Sequence, residues 1–268
     1  MSETIWLGEL DWTEYEKAVH ERSPVVMLPV GSVEQHGPHL PLNTDTVIPE
    51  QISARVAANI GGLVAPPLAY GYKSQPKSGG GEQFPGTTSL DGQTLAATVR
   101  DIIRQMAFDG VKRFAVCEGH YENAMFCIEG IDLALRDLRA EGIDDVKILR
   151  VDYWEFTTQA MFDKTFPDGF PGWPLEHAGV VETSVMWALR PDLVKPDRIP
   201  EDPPADFPPY DTYPTDRSKI PSSGALSSPK AASKEKGEYL VEGYVREITD
   251  SLRDAFGIEE SSRHFAAE

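Results

Sequence analysis

Short unbroken apolar runs alternate with longer amphipathic stretches through the first two-thirds of this 268-residue chain, and that alternation leaves few folds open. The runs are Val-Val-Met-Leu-Pro-Val at 25–30, Leu-Val-Ala-Pro-Pro-Leu at 63–68, Arg-Phe-Ala-Val-Cys at 113–117 and Val-Lys-Ile-Leu-Arg-Val at 146–151. Such runs fit strands buried on both faces of a sheet. Between them, residues 49–60, 91–108 and 123–140 have helical character. Ile48, Ile52, Val56 and Ile60 recur at helical spacing, as do Leu95, Val99, Ile103 and Met106, and Gly61, Gly110 and Gly142 end the segments. The alternation predicts an α/β fold, layered α/β/α, with a mostly parallel sheet and helices on both faces. Right-handed crossovers carry the strand ends to one edge, so loops distant in sequence can share a site. Further helices are expected at 183–189 and about 233–256.

Two of the strand ends carry the residues of a metal centre. After the 25–30 run comes Gly31-Ser-Val-Glu-Gln-His-Gly-Pro-His-Leu-Pro-Leu-Asn-Thr-Asp45, and after the 113–117 run comes Glu118-Gly-His-Tyr-Glu-Asn123. Glu34, His36 and Asp45 in the first loop, with His120 and Glu122 in the second, are carboxylate and imidazole donors of the kind borderline divalent metals take. Five N/O ligands exceed a three-ligand mononuclear site but suit two cations with one carboxylate in common. The absence of cysteine from the set argues for an open, catalytic centre over a structural zinc.

The 25 Lys and Arg against 43 Asp and Glu give a formal charge of −18, which disfavours nucleic acid and anionic membrane surfaces as partners. Cys117 and Cys127 stand in apolar surroundings and read as reduced core thiols. With no signal-peptide pattern and no long apolar run, the expectation is a soluble cytoplasmic protein forming one domain over 1–268.

Two segments offer a substrate side. Residues 70–89 form a long loop whose three consecutive glycines, Gly79 to Gly81, permit close backbone approach. Residues 172–182, Gly-Trp-Pro-Leu-Glu-His-Ala-Gly-Val-Val-Glu, place His177 between Glu176 and Glu182. Glu182 fits either a functional role or an acid favoured by a helix N-terminus. Trp154 and Trp173 could wall a flat ring. Seven prolines between Pro200 and Pro221 exclude helix and central strand from an arm at about 200–222. Its Phe207, Tyr210, Tyr213 and Ile220 are expected to lie on a neighbouring subunit.

With these segments assembled, the chain resembles the creatininase (creatinine amidohydrolase) family from about residue 8 to 256. The pieces that carry the resemblance are Leu28-Pro-Val-Gly-Ser-Val-Glu-Gln-His-Gly, Asn43-Thr-Asp, Tyr70-Gly-Tyr-Lys-Ser-Gln, Lys77-Ser-Gly-Gly-Gly, Gly119-His-Tyr-Glu-Asn, Tyr153-Trp and Glu176-His. The resemblance implies a homohexamer with two divalent ions, Zn2+ and/or Mn2+, on Glu34, His36, His120 and Glu122, with Asp45 as the bridge. It places substrate contacts on Ser78, Tyr121, Trp173 and His177, puts Trp154 on a closing lid, and gives catalytic roles to His177, Glu122 and Tyr121. The expected reaction is hydrolytic opening of a small cyclic amide by water activated between the cations, creatinine to creatine as first choice. One departure stands out: creatininases that act on creatinine have Trp-Asp before the Glu-His, and this chain has Trp173-Pro174. Another lactam or a formamide is the alternative substrate, and a non-catalytic metal-binding scaffold the remote one.

Overall fold

The computed structural model describes residues 4–259. Helix α1 (Trp12–Arg22) leads into strand β1 (Val25–Val30), followed by α2 (Thr44–Ile60), β2 (Leu63–Val64), the single turn α3 (Pro76–Gly79), α4 (Gly92–Phe108), β3 (Arg113–Glu118), α5 (Ala124–Ala140) and β4 (Lys147–Asp152). Helices α6 (Gln159–Thr165), α7 (Val180–Leu189) and α8 (Lys234–Phe256) complete the chain. The four strands pair in parallel in the order β2-β1-β3-β4. Neighbours β1 and β3 therefore occupy the centre, and the loops that leave their carboxyl ends emerge side by side.

Period-two alternation along these strands explains the layers. Val26, Leu28, Val30, Phe114 and Val116 point to one face, where Leu95, Val99 and Ile103 of α4 meet Cys127, Ala134 and Leu138 of α5. Val25, Met27, Ala115 and Cys117 point to the other, packing with Ile48 and Ile52 of α2, Val181 and Val185 of α7, and Leu240, Tyr244 and Ile248 of α8. The layered α/β/α architecture read from the sequence is the architecture observed.

Several boundaries differ from that reading, each for a local reason. The 63–68 run forms a strand only over Leu63–Val64, because Pro66 and Pro67 bring no N–H to a ladder; Leu68 still donates to the Pro29 carbonyl at 3.0 Å. Helix α2 begins at Thr44, five residues before the expected start at Pro49, so Asp45 belongs to a helix and not to the loop. Pro49 is accommodated inside it, leaving the Asp45 carbonyl without its helical donor. A short 3-10 turn, Tyr121–Asn123, separates His120 from α5, and α7 starts at Val180, three residues before expectation.

The Pro-rich arm has no strand and one 3-10 turn, Arg217–Lys219. It lies against its own chain: Ala205 donates to Leu226 at 2.9 Å, Ser223 donates to the Asp202 carboxylate at 3.2 Å, and Lys77 pairs with Asp211 at 3.0 Å. Phe207, Tyr210 and Tyr213 face Gln75, Pro76 and Lys77 across a shallow cleft, while Tyr210 and Tyr213 keep most of their surface exposed. Among the described residues, no helix is long and apolar enough to cross a membrane.

Candidate metal centre

Two strand-end glycines seat the first turn of α2. A Cβ on Gly119, which follows β3, would collide with the Asp45 carbonyl and lie 2.6 Å from Pro49 Cγ. One on Gly31, which follows β1, would lie 2.6 Å from the same carbonyl and 2.5 Å from Thr46 Oγ1. Backbone meets backbone here, and that closeness delivers Asp45 to the carboxyl edge between the two central strands. Asn123, fully buried, fastens the loops around it: its side-chain amide donates to the Gly31 carbonyl at 3.0 Å and accepts from the Tyr72 N–H at 2.8 Å.

Glu34, His36, Asp45 and His120 converge in this buried space. His120 Nδ1 is 3.0 Å from Glu34 Oε2 and 3.1 Å from Asp45 Oδ2. His36 Nε2 is 2.9 Å from Asp45 Oδ1 and 3.6 Å from Glu182 Oε2. Ligand atoms within 4.8 Å of one another form the groups Glu34–Asp45–His120 and His36–Asp45–Glu182, with Asp45 common to both. A third group, Glu34–His36–His177, brings His177 to the same place. Among the sequence-derived ligands, Glu122 is the one the structure turns elsewhere. Its Oε1 accepts from Ser78 Oγ at 2.6 Å and from the Gln75 N–H at 2.9 Å, while its Oε2 lies 3.4 Å from the far nitrogen of His120. Glu182, on the first turn of α7, joins the cluster instead.

Electrostatics agree with a site shaped for cations. Burial pushes the Glu34 carboxyl up to about 8, against the pull of His120. Burial opposes charge on His36 and His120 as well, yet the facing carboxylates (Asp45 and Glu182 for His36, Glu122 and Glu34 for His120) raise both imidazoles well above their ordinary range. Asp45 is also buried, and the two imidazoles hold it below the usual carboxylate range. Glu34 Oε1 has no hydrogen-bond or ion-pair partner, and His36 Nε2 and Asp45 Oδ2 have only the facing charged groups at 2.9 and 3.1 Å. Unsatisfied buried carboxylate and imidazole atoms are costly unless a cation completes them. The donor set fits divalent ions.

One consequence is measurable. Protons on His36, His120 and Glu34 must leave when cations arrive, so metal affinity is expected to rise as pH rises through neutrality, with proton release on loading. Calorimetric titration of the metal-free protein in buffers of different ionisation enthalpy counts those protons; loading at neutral pH without release contradicts the assignment.

Of the residues expected on the substrate side, His177 reaches the cluster and Ser78 touches Glu122. Ser78 sits on α3, which packs against the 3-10 turn Trp173–Leu175. Trp173 stacks edge-on with Phe162 and Phe170, at 5.7 and 5.0 Å between ring centres. Trp154 stands 6.5 Å from Tyr121, which is largely exposed, and 5.1 Å from Tyr153. His177 is buried, its imidazole held neutral by burial and by the charge of His36. Ala178, next in the chain, takes a left-handed φ of 54° that aims its N–H at Glu182 Oε2, 2.6 Å away. Gln35 and Asn123 are the structural contributors that ligand counting passes over, since neutral amides carry no metal chemistry; both lie inside the two ligand loops.

A parallel α/β sheet with carboxylates and imidazoles gathered at its carboxyl edge defines a metal-dependent hydrolase of the α/β class. The chain belongs to the creatininase family, whose model, described as creatinine amidohydrolase, matches residues 8–252. It is 54% identical over 257 residues to the creatinine amidohydrolase of Pseudomonas putida, covering 96% of this chain and 99% of that one. A manganese form of creatininase superposes with a TM-score of 0.93 at 54% identity, over 94% of this chain and 99% of that chain. A zinc–zinc form of a creatininase variant gives 0.93 at 53% identity, over 94% and 98%.

Proposed function

We propose that this protein opens a small cyclic amide by hydrolysis, creatinine to creatine as the leading case, at two divalent cations, Zn2+ and/or Mn2+. The observation that carries the reading is a pair of buried carboxylate–imidazole groups that share Asp45. Glu34, Asp45 and His120 would hold one cation, and His36, Asp45 and Glu182 the other. Bound there, the cations supply Lewis-acid polarisation of an amide carbonyl and lower the pKa of water toward neutrality.

The remaining groups then have separate tasks. Glu122, held by Ser78 and the Gln75 N–H, is free of the ligand groups and available to accept a proton from attacking water. His177, neutral and buried beside the cluster, is suited to relay to the leaving ring nitrogen the proton that Glu122 takes from the attacking water, accepting it first and then giving it up, since an amide nitrogen leaves poorly unless protonated. Trp154, Trp173 and Tyr121 offer aromatic faces to a flat ring, with Ser78 beneath it. Exhaustive chelation should abolish lactam hydrolysis, and Zn2+ or Mn2+ should restore it. Full turnover in metal-free protein overturns the proposal.

Pro174 supports a second substrate, another small lactam or a formamide. It is exposed on the turn that follows Trp173 and offers no acid to a guanidine-like end. Across a panel of creatinine, its unmethylated analogue, hydantoins and formamides, Pro174→Asp should raise kcat/KM for creatinine over the others. An unchanged profile removes the argument for the second substrate.

We also infer a homohexamer in the cytoplasm. Supporting it are the exposed apolar side chains Met125 and Ile128 on the first turns of α5 and Tyr121 on the 3-10 turn before it, together with Tyr210 and Tyr213 on the arm, and two free buried thiols. Light scattering should return six chains per particle; a monomer at micromolar concentration sets the inference aside.

A further inference from the structure

Between the ligands Glu34 and His36 stands a residue with a different occupation. Gln35 is buried at 5% exposure, and its side-chain amide touches three separate segments. Oε1 accepts from the Gly37 N–H at 2.9 Å, which fixes the amide's orientation. Nε2 then faces two backbone carbonyls, Gly79 of the substrate loop and Gly224 at the end of the Pro-rich arm, each at 3.0 Å. The surroundings are cut to this amide. A Cβ on Gly224 would overlap it, and one on Gly80 would lie 3.0 Å from Nε2. Both glycines hold left-handed backbones, at φ +85° and +78°.

The same residue determines which nitrogen of His177 carries the proton. His177 Nε2 lies 2.8 Å from the Gln35 backbone carbonyl and 2.9 Å from Gln35 Nε2. A bare Nε2 would set its lone pair against the carbonyl oxygen at 2.8 Å. It would also draw one amide hydrogen from Gly79 or Gly224, leaving that carbonyl short. A protonated Nε2 donates to the Gln35 carbonyl and leaves both amide hydrogens with the two glycine carbonyls. The second arrangement makes three hydrogen bonds at the cost of two donor nitrogens in contact at 2.9 Å, where the first makes two and sets a lone pair against a carbonyl oxygen at 2.8 Å. Nδ1 is then the one basic atom of the ring.

We propose that Gln35 is a positioning residue that locks His177 in the Nε2–H tautomer and ties its orientation to the substrate loop and to the end of the arm. The inference rests on the reading that His177 moves a proton in lactam opening, and it gives that role a defined atom. A ring free to exchange tautomers presents the wrong nitrogen for part of the time, which lowers the rate of proton transfer without loosening substrate binding.

The test has two independent arms. Nitrogen NMR of isotope-labelled histidines in the zinc-loaded full chain, with His177 assigned by His177→Asn, should show a protonated Nε2 and a bare Nδ1 in the unsubstituted protein. A bare Nε2 there overturns the proposal without any variant at Gln35. Gln35→Met should lose about ten- to a hundredfold in kcat, with KM and metal content unchanged and the His177 signals shifted toward mixed tautomers. Wild-type kcat in Gln35→Met likewise overturns it. His177→Asn separates the two readings: wild-type turnover in that variant removes the proton-transfer role itself, whereas the tautomer arm judges the positioning alone.

Discussion

Asp45→Ala is expected to leave the protein with neither cation and with turnover at background. The residue stands in both ligand groups and lies within 3.1 Å of His120 Nδ1 and 2.9 Å of His36 Nε2. No other side chain is common to the Glu34–Asp45–His120 and His36–Asp45–Glu182 groups, so its loss removes a ligand from each ion at once. Metal analysis after dialysis should fall from about two ions per chain to near none, the content of a two-metal centre without its shared carboxylate. Single-sided variants give the contrast. Glu182→Ala should retain about one ion, and Glu122→Gln should retain about two while losing turnover, because only a ligand's removal empties a site. Full metal content in Asp45→Ala sinks the centre, and a lost ion in Glu122→Gln returns that residue to the ligand set.

Gly119→Ala should damage the protein nearly as much with one methyl group. Its backbone φ is not positive, so alanine meets no conformational strain there. The added Cβ instead strikes the Asp45 carbonyl and the Pro49 ring, neither of which can swing away as a flexible side chain would. The first turn of α2 must retreat and carry Asp45 with it. Overpacking of this kind costs about 2–3 kcal/mol, which lowers Tm by several degrees in a chain of this size, and metal affinity should drop with it. Gly142→Ala is the comparison: nothing lies within 4 Å of the new Cβ there, and only a φ of +82° is strained. Its cost should be about 1–2 kcal/mol with metal binding intact. Equal metal affinity in wild type and Gly119→Ala contradicts the clamping role.

Which parts of this centre were legible in the residues follows from which interactions are local. The central strands at 25–30 and 113–117 announced themselves because burial on both faces leaves an unbroken apolar run. Glu34, His36 and His120, gathered in one buried cluster, each follow such a strand within a few residues. Glu122 lies outside that cluster for a tertiary reason. Two residues from His120 it looks like a partner ligand, but Ser78 and Gln75, more than forty residues away in the chain, hold its carboxylate on the other side of the imidazole. Glu182 was ambiguous for the opposite reason: an acid in the first turn of a helix serves the helix dipole equally well, and only the packing of α7 against α2 brings it to His36. The arm was legible as Pro-rich and irregular. Its resting place against residues 75–77 was not, because that depends on the Lys77–Asp211 pair across a long separation.

The side chains proposed to hold the ions and those proposed to read the substrate stand on different kinds of support. Glu34, Asp45, His120 and Glu182 are fixed by the central strand ends and by the first turns of α2 and α7, where backbone packs on backbone. Ser78 and Trp173 ride on single turns joined to the scaffold by loops, and Trp154 on a single turn that continues directly from β4. Such a division makes the fold evolvable. Loops accept substitution and insertion far more readily than buried strand ends do, so mutations that reshape the pocket need not be mutations that empty it. A library confined to residues 154–156 and 166–175 would search for new cyclic amides while the catalytic metals stay in place, and variants selected from it should differ in KM and substrate rank long before they differ in metal content.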